Sequence, residues 1–416
     1  MRLAAVMLTI GLLASGAGSA LAADGGGDGE PIVLTDHARE LHRSSLLIDG
    51  HNDLPWELRK KGSADFTKLD IALPQPGLQT DIPRLHEGGM GAQFWSVWVP
   101  VDTAKRGAAL QTTLEQIELV KLMLARYPND FELALTTDDI ERIHASGKIA
   151  SLIGVEGGHC IEDSLAVLRR LYGFGARYMT LTHSRSLSWA DSGTDDPVSG
   201  GLNAFGEEVV REMNRLGMMV DISHVSINVM KQAIALSEAP VIFSHSSCRA
   251  IAEHPRNVPD EVLALLPEKD GVVMINFFSA FVVPEASQIN ARRLEYELEM
   301  EAKHGDDQQA IDSAVRKWND QHPYPNGTIH HVLDHIEHVI KVAGVDHVGL
   351  GSDFDGVSVL PDQLEGADCY PLITQGLIDR GYSDADIQQV LGGNLMRVFR
   401  KTEQTAARLA ESEGDE

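Results

Sequence analysis

The sequence predicts an α/β protein: a (β/α)8 TIM barrel in a single domain, with an inserted helical segment after the seventh strand. Two observations carry this prediction. Eight short apolar runs recur along the 416 residues, each closing on polar or glycine residues or followed by a loop. Such runs suit strands of a parallel sheet buried on both faces. Stretches with helical apolar spacing separate them, and repeated strand–helix alternation is the pattern of this fold.

The predicted strands are, in order, 45–51 (SLLIDGH), 91–99 (GAQFWSVWV), 149–156 (IASLIGVE), 176–183 (ARYMTLTH), 218–224 (MMVDISH), 240–245 (PVIFSH), 271–278 (GVVMINFF) and 348–353 (VGLGSD). Helical spacing appears at 113–127, through Ile117, Val120, Leu122 and Leu124, and at 164–172, through Leu165, Val167, Leu168 and Leu171. Further helices are expected at 206–216, 227–236, 329–342 and 384–399. Residues 284–328 form the insertion, helical over 291–302. Inserted βα loops lie on the active-site face of a barrel, so this one is expected to cap the site.

Acidic residues outnumber basic ones by 61 to 35, a net charge of −26. That excludes nucleic acid as a partner, since phosphate binding needs clustered positive charge. Arg2, an apolar stretch over 3–13 and Ala20-Leu21-Ala22 make a three-part export signal. The reading is therefore a signal peptide over 1–22, a flexible leader over 23–35, a catalytic domain over 36–400 and a polar tail over 401–416. The protein is expected to be exported, periplasmic or secreted, and to lack a stable membrane anchor, because the tail is not the hydrophobic end of a lipid-anchor signal. Cys160, Cys248 and Cys369 are scattered and read as packing residues, with one bridge at most.

The predicted strand ends carry the chemistry. They are His51-Asn52-Asp53, Glu156, His183, His224, His245 and Asp353. In a barrel these positions converge on the C-terminal face, where active sites sit. Residues i and i+2 of a strand point the same way, so His51 and Asp53 can share one metal while Asn52 faces elsewhere. His224 and His245, on adjacent strands, can share a second. Glu156 has two oxygens and can bridge both ions. Imidazole and carboxylate ligands suit zinc, and two zinc ions about 3.5–4 Å apart activate a water and polarise a carbonyl. Asp353 is placed to move the proton, and His183 to stabilise the oxyanion. A lone histidine at a strand end is more often structural. The convergence of so many ligand-type residues reverses that, because burying them without a metal is costly. His331, His335 and His338, spaced along one helix, read as solvated surface histidines; His159, His254 and His347 are given the same reading.

At this point the chain resembles the membrane (renal) dipeptidase family of zinc peptidases, within the metal-dependent hydrolase superfamily. The stretches that carry the resemblance are DGHNDLPW (49–56), GAQFWSVW (91–98), GVEGGH (154–159), LTHS (181–184), DISHVS (221–226), FSHSS (243–247), RNVPD (256–260), GSDFDG (351–356) and GGNLMRVF (392–399). The resemblance implies a dipeptidase with two zinc ions per chain, one held by His51 and Asp53, the other by His224 and His245, with Glu156 bridging. It implies that Asp353 handles the proton and that His183, Asp353 and Arg256 contact a small dipeptide substrate. A guanidinium pairs bidentately with a carboxylate, which fits Arg256 to the free C-terminus of a dipeptide. A D-residue at that end is an expected substrate feature, and a homodimer is implied too. Mammalian members are lipid-anchored and disulfide-bonded; these cysteines do not match that pattern. Two other activities fit the same fold: hydrolysis of N-acyl-amino acids, β-lactams or lactones, and a non-catalytic binding or maturation role. The second predicts lost ligands, and every ligand is present. Thr180 to His183 contains no lysine, so Glu156 is the bridging candidate rather than a carbamylated lysine.

Overall fold

The computed structural model describes residues 29–305 and 307–414. The expected export signal and residues 23–28 of the leader lie outside the described residues. The sheet contains β1 (Leu47–Asn52), β2 (Met90–Trp98), β3 (Phe131–Leu133), β4 (Ile149–Glu156), β5 (Ala176–Thr180), β6 (Met219–Asp221), β7 (Val241–Phe243), β8 (Val272–Ile275) and β9 (Val348–Leu350). All pairings are parallel. Eight strands close a barrel in the order β1-β2-β4-β5-β6-β7-β8-β9, with β9 back against β1. This is the expected (β/α)8 architecture. β3 was not expected. It pairs with the first half of β4, Phe131 opposite Ile149, ahead of the place where β5 joins at Ile153 opposite Ala176.

The two-residue period of the strands sorts their side chains into two cores. On β4, Ile149, Ile153 and Val155 pack with the surrounding helices, while Ala150 and Leu152 belong to the barrel interior with Ile48, Phe94, Tyr178, Ile242 and Met274. Leu395, Met396 and Phe399 of the last helix close that interior. Each large apolar side chain so buried contributes about 1.5–3 kcal/mol. Gly154 continues the inward column of β4. A Cβ there would lie 2.0 Å from the Tyr178 ring, so glycine is what lets that ring occupy the interior. The last helix, Asn394–Gly414, continues across residue 400 and buries Thr402 and Thr405. Cys160, Cys248 and Cys369 are buried free thiols.

The insertion between β8 and the helix Ile329–Ala343 contains the helices Ser279–Val282, Pro284–His304 and Gln308–Gln321. The second of these buries Ala286, Ser287 and Asn290 near its start.

The histidine reading needs correction. His335 is fully buried: its Nδ1 accepts from the Cys248 amide (2.9 Å) and its Nε2 donates to the Val282 carbonyl (3.1 Å). The apolar stripe Val332, Ile336 and Val339 carries it inward, and two backbone partners satisfy its ring. His159, His254 and His347 are buried as well, each bonded through a ring nitrogen. His331 and His338 are half-buried, the first capping its own helix at Thr328 and the second paired with Asp260 at 2.7 Å.

Candidate metal centre

Four of the expected strands stop short of their chemistry. β5 ends at Thr180, β6 at Asp221, β7 at Phe243 and β9 at Leu350. His183, His224, His245 and Asp353 follow within three residues, where the chain leaves the sheet and turns its side chains to one point. His224 and Asp353 do this with φ of 67° and 66°. Non-glycine residues rarely adopt that region, and such strain concentrates at functional sites.

Glu156 stands at the centre. Its Oε1 lies 3.0 Å from His224 Nε2, 3.5 Å from His245 Nε2 and 3.6 Å from His183 Nε2. Its Oε2 faces the other way, 3.5 Å from His51 Nε2, which is 3.3 Å from Asp53 Oδ2. His51, Asp53 and Asp353 bring ligand atoms within 4.8 Å of one another. Asn52 turns away, donating to Thr80 at 2.8 Å.

The donor set fits metal ions on its own chemistry. His51 Nε2 is buried and makes no hydrogen bond. Nε2 of His224 and of His245 face each other at 2.9 Å. Neighbours fix which nitrogen each ring presents. Tyr178 donates its hydroxyl to the Gly50 carbonyl (3.1 Å), so it accepts from His51 Nδ1 (2.9 Å), and the His51 Nε2 lone pair is left free. Ser244 donates to Asp221 Oδ2 (2.6 Å) and therefore accepts from His245 Nδ1 (2.8 Å). Asp221 is itself held by Thr180 Oγ1 (2.5 Å) and by the amides of Ser223 and Ser244. Metal-ligating histidines characteristically have such partners. His224 Nδ1 has none among the described residues.

Charge sorts the site further. Burial opposes the His51 imidazolium, but Tyr178 and the carboxylates of Glu156 and Asp53 outweigh it and hold its pKa well above the usual histidine range. Burial alone would raise the Glu156 carboxyl; the imidazoles around it keep it well below the carboxylate range. Burial, with Arg256 nearby and His51 beside His245, lowers His224 and His245 well below the histidine range, so both rings are neutral. Burial chiefly, with Asp53 and Glu156 adding repulsion, pushes Asp353 up to about 8 against the pull of His51. Asn276 donates to its Oδ2 at 2.8 Å.

A cleft of about 420 Å3 opens above these groups. Trp56, Trp98, Phe278 and Phe281 supply apolar walls, and Arg256 and Arg293 supply positive charge. Arg256 is 4% exposed. It donates to the His245 carbonyl (3.0 Å) and to Ser246 Oγ (3.3 Å), and it sits over the Phe281 ring at 5.3 Å. Its Nε is buried without a hydrogen bond. Burial lowers its pKa to about 10, so it stays cationic at neutral pH. An unpaired buried N–H is costly, and an incoming carboxylate would relieve it.

All eight site residues expected from sequence therefore border one cluster and its cleft. Tyr178, Ser244, Asp221, Asn276 and Phe281 were given no role beforehand. Asp221 and Ser244 fall inside stretches already singled out, and Gly154 was the only mark of the space Tyr178 needs.

A family model described as membrane dipeptidase (peptidase family M19) matches residues 35–413. Dipeptidase verJ of Clonostachys rogersoniana is 38% identical over 376 residues, spanning 88% of this chain and 86% of that protein. Dipeptidase 3 of Mus musculus is 38% identical over 377 residues, 89% of this chain and 67% of that protein. Among solved structures, the probable dipeptidase PvdM from Pseudomonas aeruginosa superposes with a TM-score of 0.75 at 26% identity, covering 89% of this chain and 98% of its own. A metallo peptidase from Rhodobacter sphaeroides, liganded with a phosphinate mimic of the dipeptide L-Ala-D-Ala, superposes with a TM-score of 0.70 at 23% identity, covering 86% and 100%. At that identity the second likeness is one of fold.

Proposed function

The chain belongs to the membrane dipeptidase family, the M19 metallopeptidases, and from that premise we propose that it hydrolyses the peptide bond of free dipeptides with two zinc ions. The observation that carries this reading is the division of Glu156, one oxygen toward His51 and the other toward His224 and His245. His51 and Asp53 would hold one ion, His224 and His245 the other, and Glu156 both. When bound, the pair supplies Lewis acidity and an activated water.

The chain's own residues do the rest. Arg256 pairs with the C-terminal carboxylate of the dipeptide and fixes its register. His183, which faces the cleft beside Trp98, donates to the oxygen of the carbonyl under attack. Asp353, whose pKa is raised to about 8, is able to hold a proton near neutral pH and to give it to the leaving amine. Trp56, Trp98 and Phe281 exclude water. Acceptance of a D-residue at the C-terminal position is part of the proposal. We further propose that the protein is exported and acts as a homodimer.

The test is a rate screen over L-L, L-D and N-acyl substrates, with metal analysis and an Arg256→Ala variant. Two zinc ions per chain and preferential hydrolysis of free dipeptides are expected. Arg256→Ala should raise KM for a free dipeptide at least about tenfold, in line with a lost charge-assisted pair. If the variant weakens a dipeptide amide as much as the free acid, the clamp role is wrong.

A further inference from the structure

We infer that the inserted segment after β8 is part of the substrate-carboxylate site, with His254 and Asn290 acting as positioning residues for Arg256. This rests on the reading of Arg256 as the carboxylate clamp.

A hydrogen-bond chain joins Arg256 to the insertion, and its direction is fixed at its start. The Arg256 backbone N–H donates to His254 Nδ1 at 3.1 Å. A backbone amide can only donate, so that nitrogen carries the lone pair and His254 Nε2 carries the hydrogen. Nε2 lies 2.9 Å from Asn290 Oδ1, which accepts it. The amide orientation of Asn290 is thereby set, and its Nδ2 donates to the Tyr324 hydroxyl at 2.8 Å. His254 and Asn290 are 1% and 5% exposed, so no solvent competes for these groups. Burial drives the His254 pKa down to about 3, which keeps the ring neutral and the chain in this one sense.

Three further contacts tie the same loop to the insertion. Ser287 Oγ donates to the Glu253 carbonyl (2.7 Å), and Asn257 Nδ2 donates to the Phe281 carbonyl (2.8 Å). The Phe281 ring packs against His254 at 4.7 Å and lies under the Arg256 guanidinium. The insertion thus holds Arg256 from two sides, by its backbone through Asn290 and by its side chain through Phe281. A bidentate carboxylate pair needs the guanidinium plane fixed within tenths of an ångström, which is what remote packing supplies.

The test is steady-state kinetics on the zinc-loaded full chain with a free dipeptide, plus the competitive Ki of the matching dipeptide amide. Asn290→Ala strands the His254 Nε2 hydrogen. KM for the free acid should rise about tenfold, as loss of one buried acceptor implies, with kcat within about twofold, zinc content at wild-type level and the amide Ki unchanged. Asn290→Asp keeps an acceptor for His254 and offers another to the Tyr324 hydroxyl, so it should restore most of the loss. A fall in kcat without a change in KM, equal weakening of acid and amide, or failure of Asn290→Asp to restore the acid would overturn the inference. Arg256→Ala separates the two levels. If it fails to discriminate acid from amide, the clamp reading itself fails; if it discriminates and Asn290→Ala does not, only the role of the insertion is lost.

Discussion

The floor of the cleft and the wall that carries Arg256 are assembled differently. The floor is made at the ends of β1, β4, β6, β7 and β9, and its supports come from the same barrel: Tyr178 for His51, and Asp221 with Ser244 for His245. The wall hangs on the loop after β7 and on an insertion more than thirty residues further along, joined through His254 and Asn290. The floor is therefore coupled to the stability of the whole barrel, whereas the wall rests on the insertion and meets the floor where Arg256 donates to the His245 carbonyl. If Arg256 is the clamp, substitutions in the insertion should act mainly on KM and substitutions in the floor mainly on kcat.

The largest effect belongs at the centre of the floor. Glu156→Gln keeps the size of the side chain but removes the charge shared by both halves of the cluster. Loss of several kcal/mol of metal-derived stabilisation corresponds to a fall in kcat on the order of 10^3-fold. Metal content should drop with it, measured by elemental analysis of purified protein. A variant that keeps full metal and full kcat would show that Glu156 is not the shared ligand.

A smaller loss is expected one step back from the ligands. Tyr178→Phe leaves the His51 Nδ1–H with no acceptor in a buried site and frees the ring to present the wrong nitrogen. Removal of such a partner lowers metal affinity about 10–100-fold. Ser244→Ala should act alike on His245. Zinc titration of the metal-free variants tests both, with circular dichroism as the check on folding. Among the described residues His224 Nδ1 has no comparable partner, so no equivalent single change is offered for it. If Tyr178→Phe binds zinc as tightly as the parent, the phenol is a packing residue only.

The difference between floor and wall also explains how much of each was legible in sequence. Strand-end histidines and carboxylates announce themselves, because a two-residue period and an apolar run place them without knowledge of any contact. Arg256 was legible only through its resemblance stretch. His254 was misread as a surface residue, since a histidine in a loop gives no sign of its burial. Its partner Asn290 lies 36 positions away, on a helix that looks like many exposed helices. The strands end before His183, His224, His245 and Asp353 for a related reason: the apolar pattern continues where the backbone has already left the sheet. His335 shows the opposite failure, a polar ring inside an apolar stripe whose two backbone partners no local pattern reveals.

The gentlest test of the floor uses pH alone. In the metal-free protein the His51 pKa lies well above the ordinary histidine value, because Tyr178, Glu156 and Asp53 outweigh burial. The raised value favours the imidazolium, so a metal that takes the Nε2 lone pair competes with a proton there. A group whose pKa is raised holds that proton until pH passes its folded value. Zinc affinity should accordingly climb with pH below that value and level off above it. For one displaced proton the slope is at most about tenfold per pH unit. Asp353, with its pKa near 8, adds a second proton to the exchange if the bound charge expels it. Calorimetric zinc titrations at pH 7, in buffers of different ionisation enthalpy, count the protons directly. A count of one or more is expected. A count of zero would mean that His51 is already neutral, and that the carboxylates around it do not reach the ring strongly enough to offset its burial.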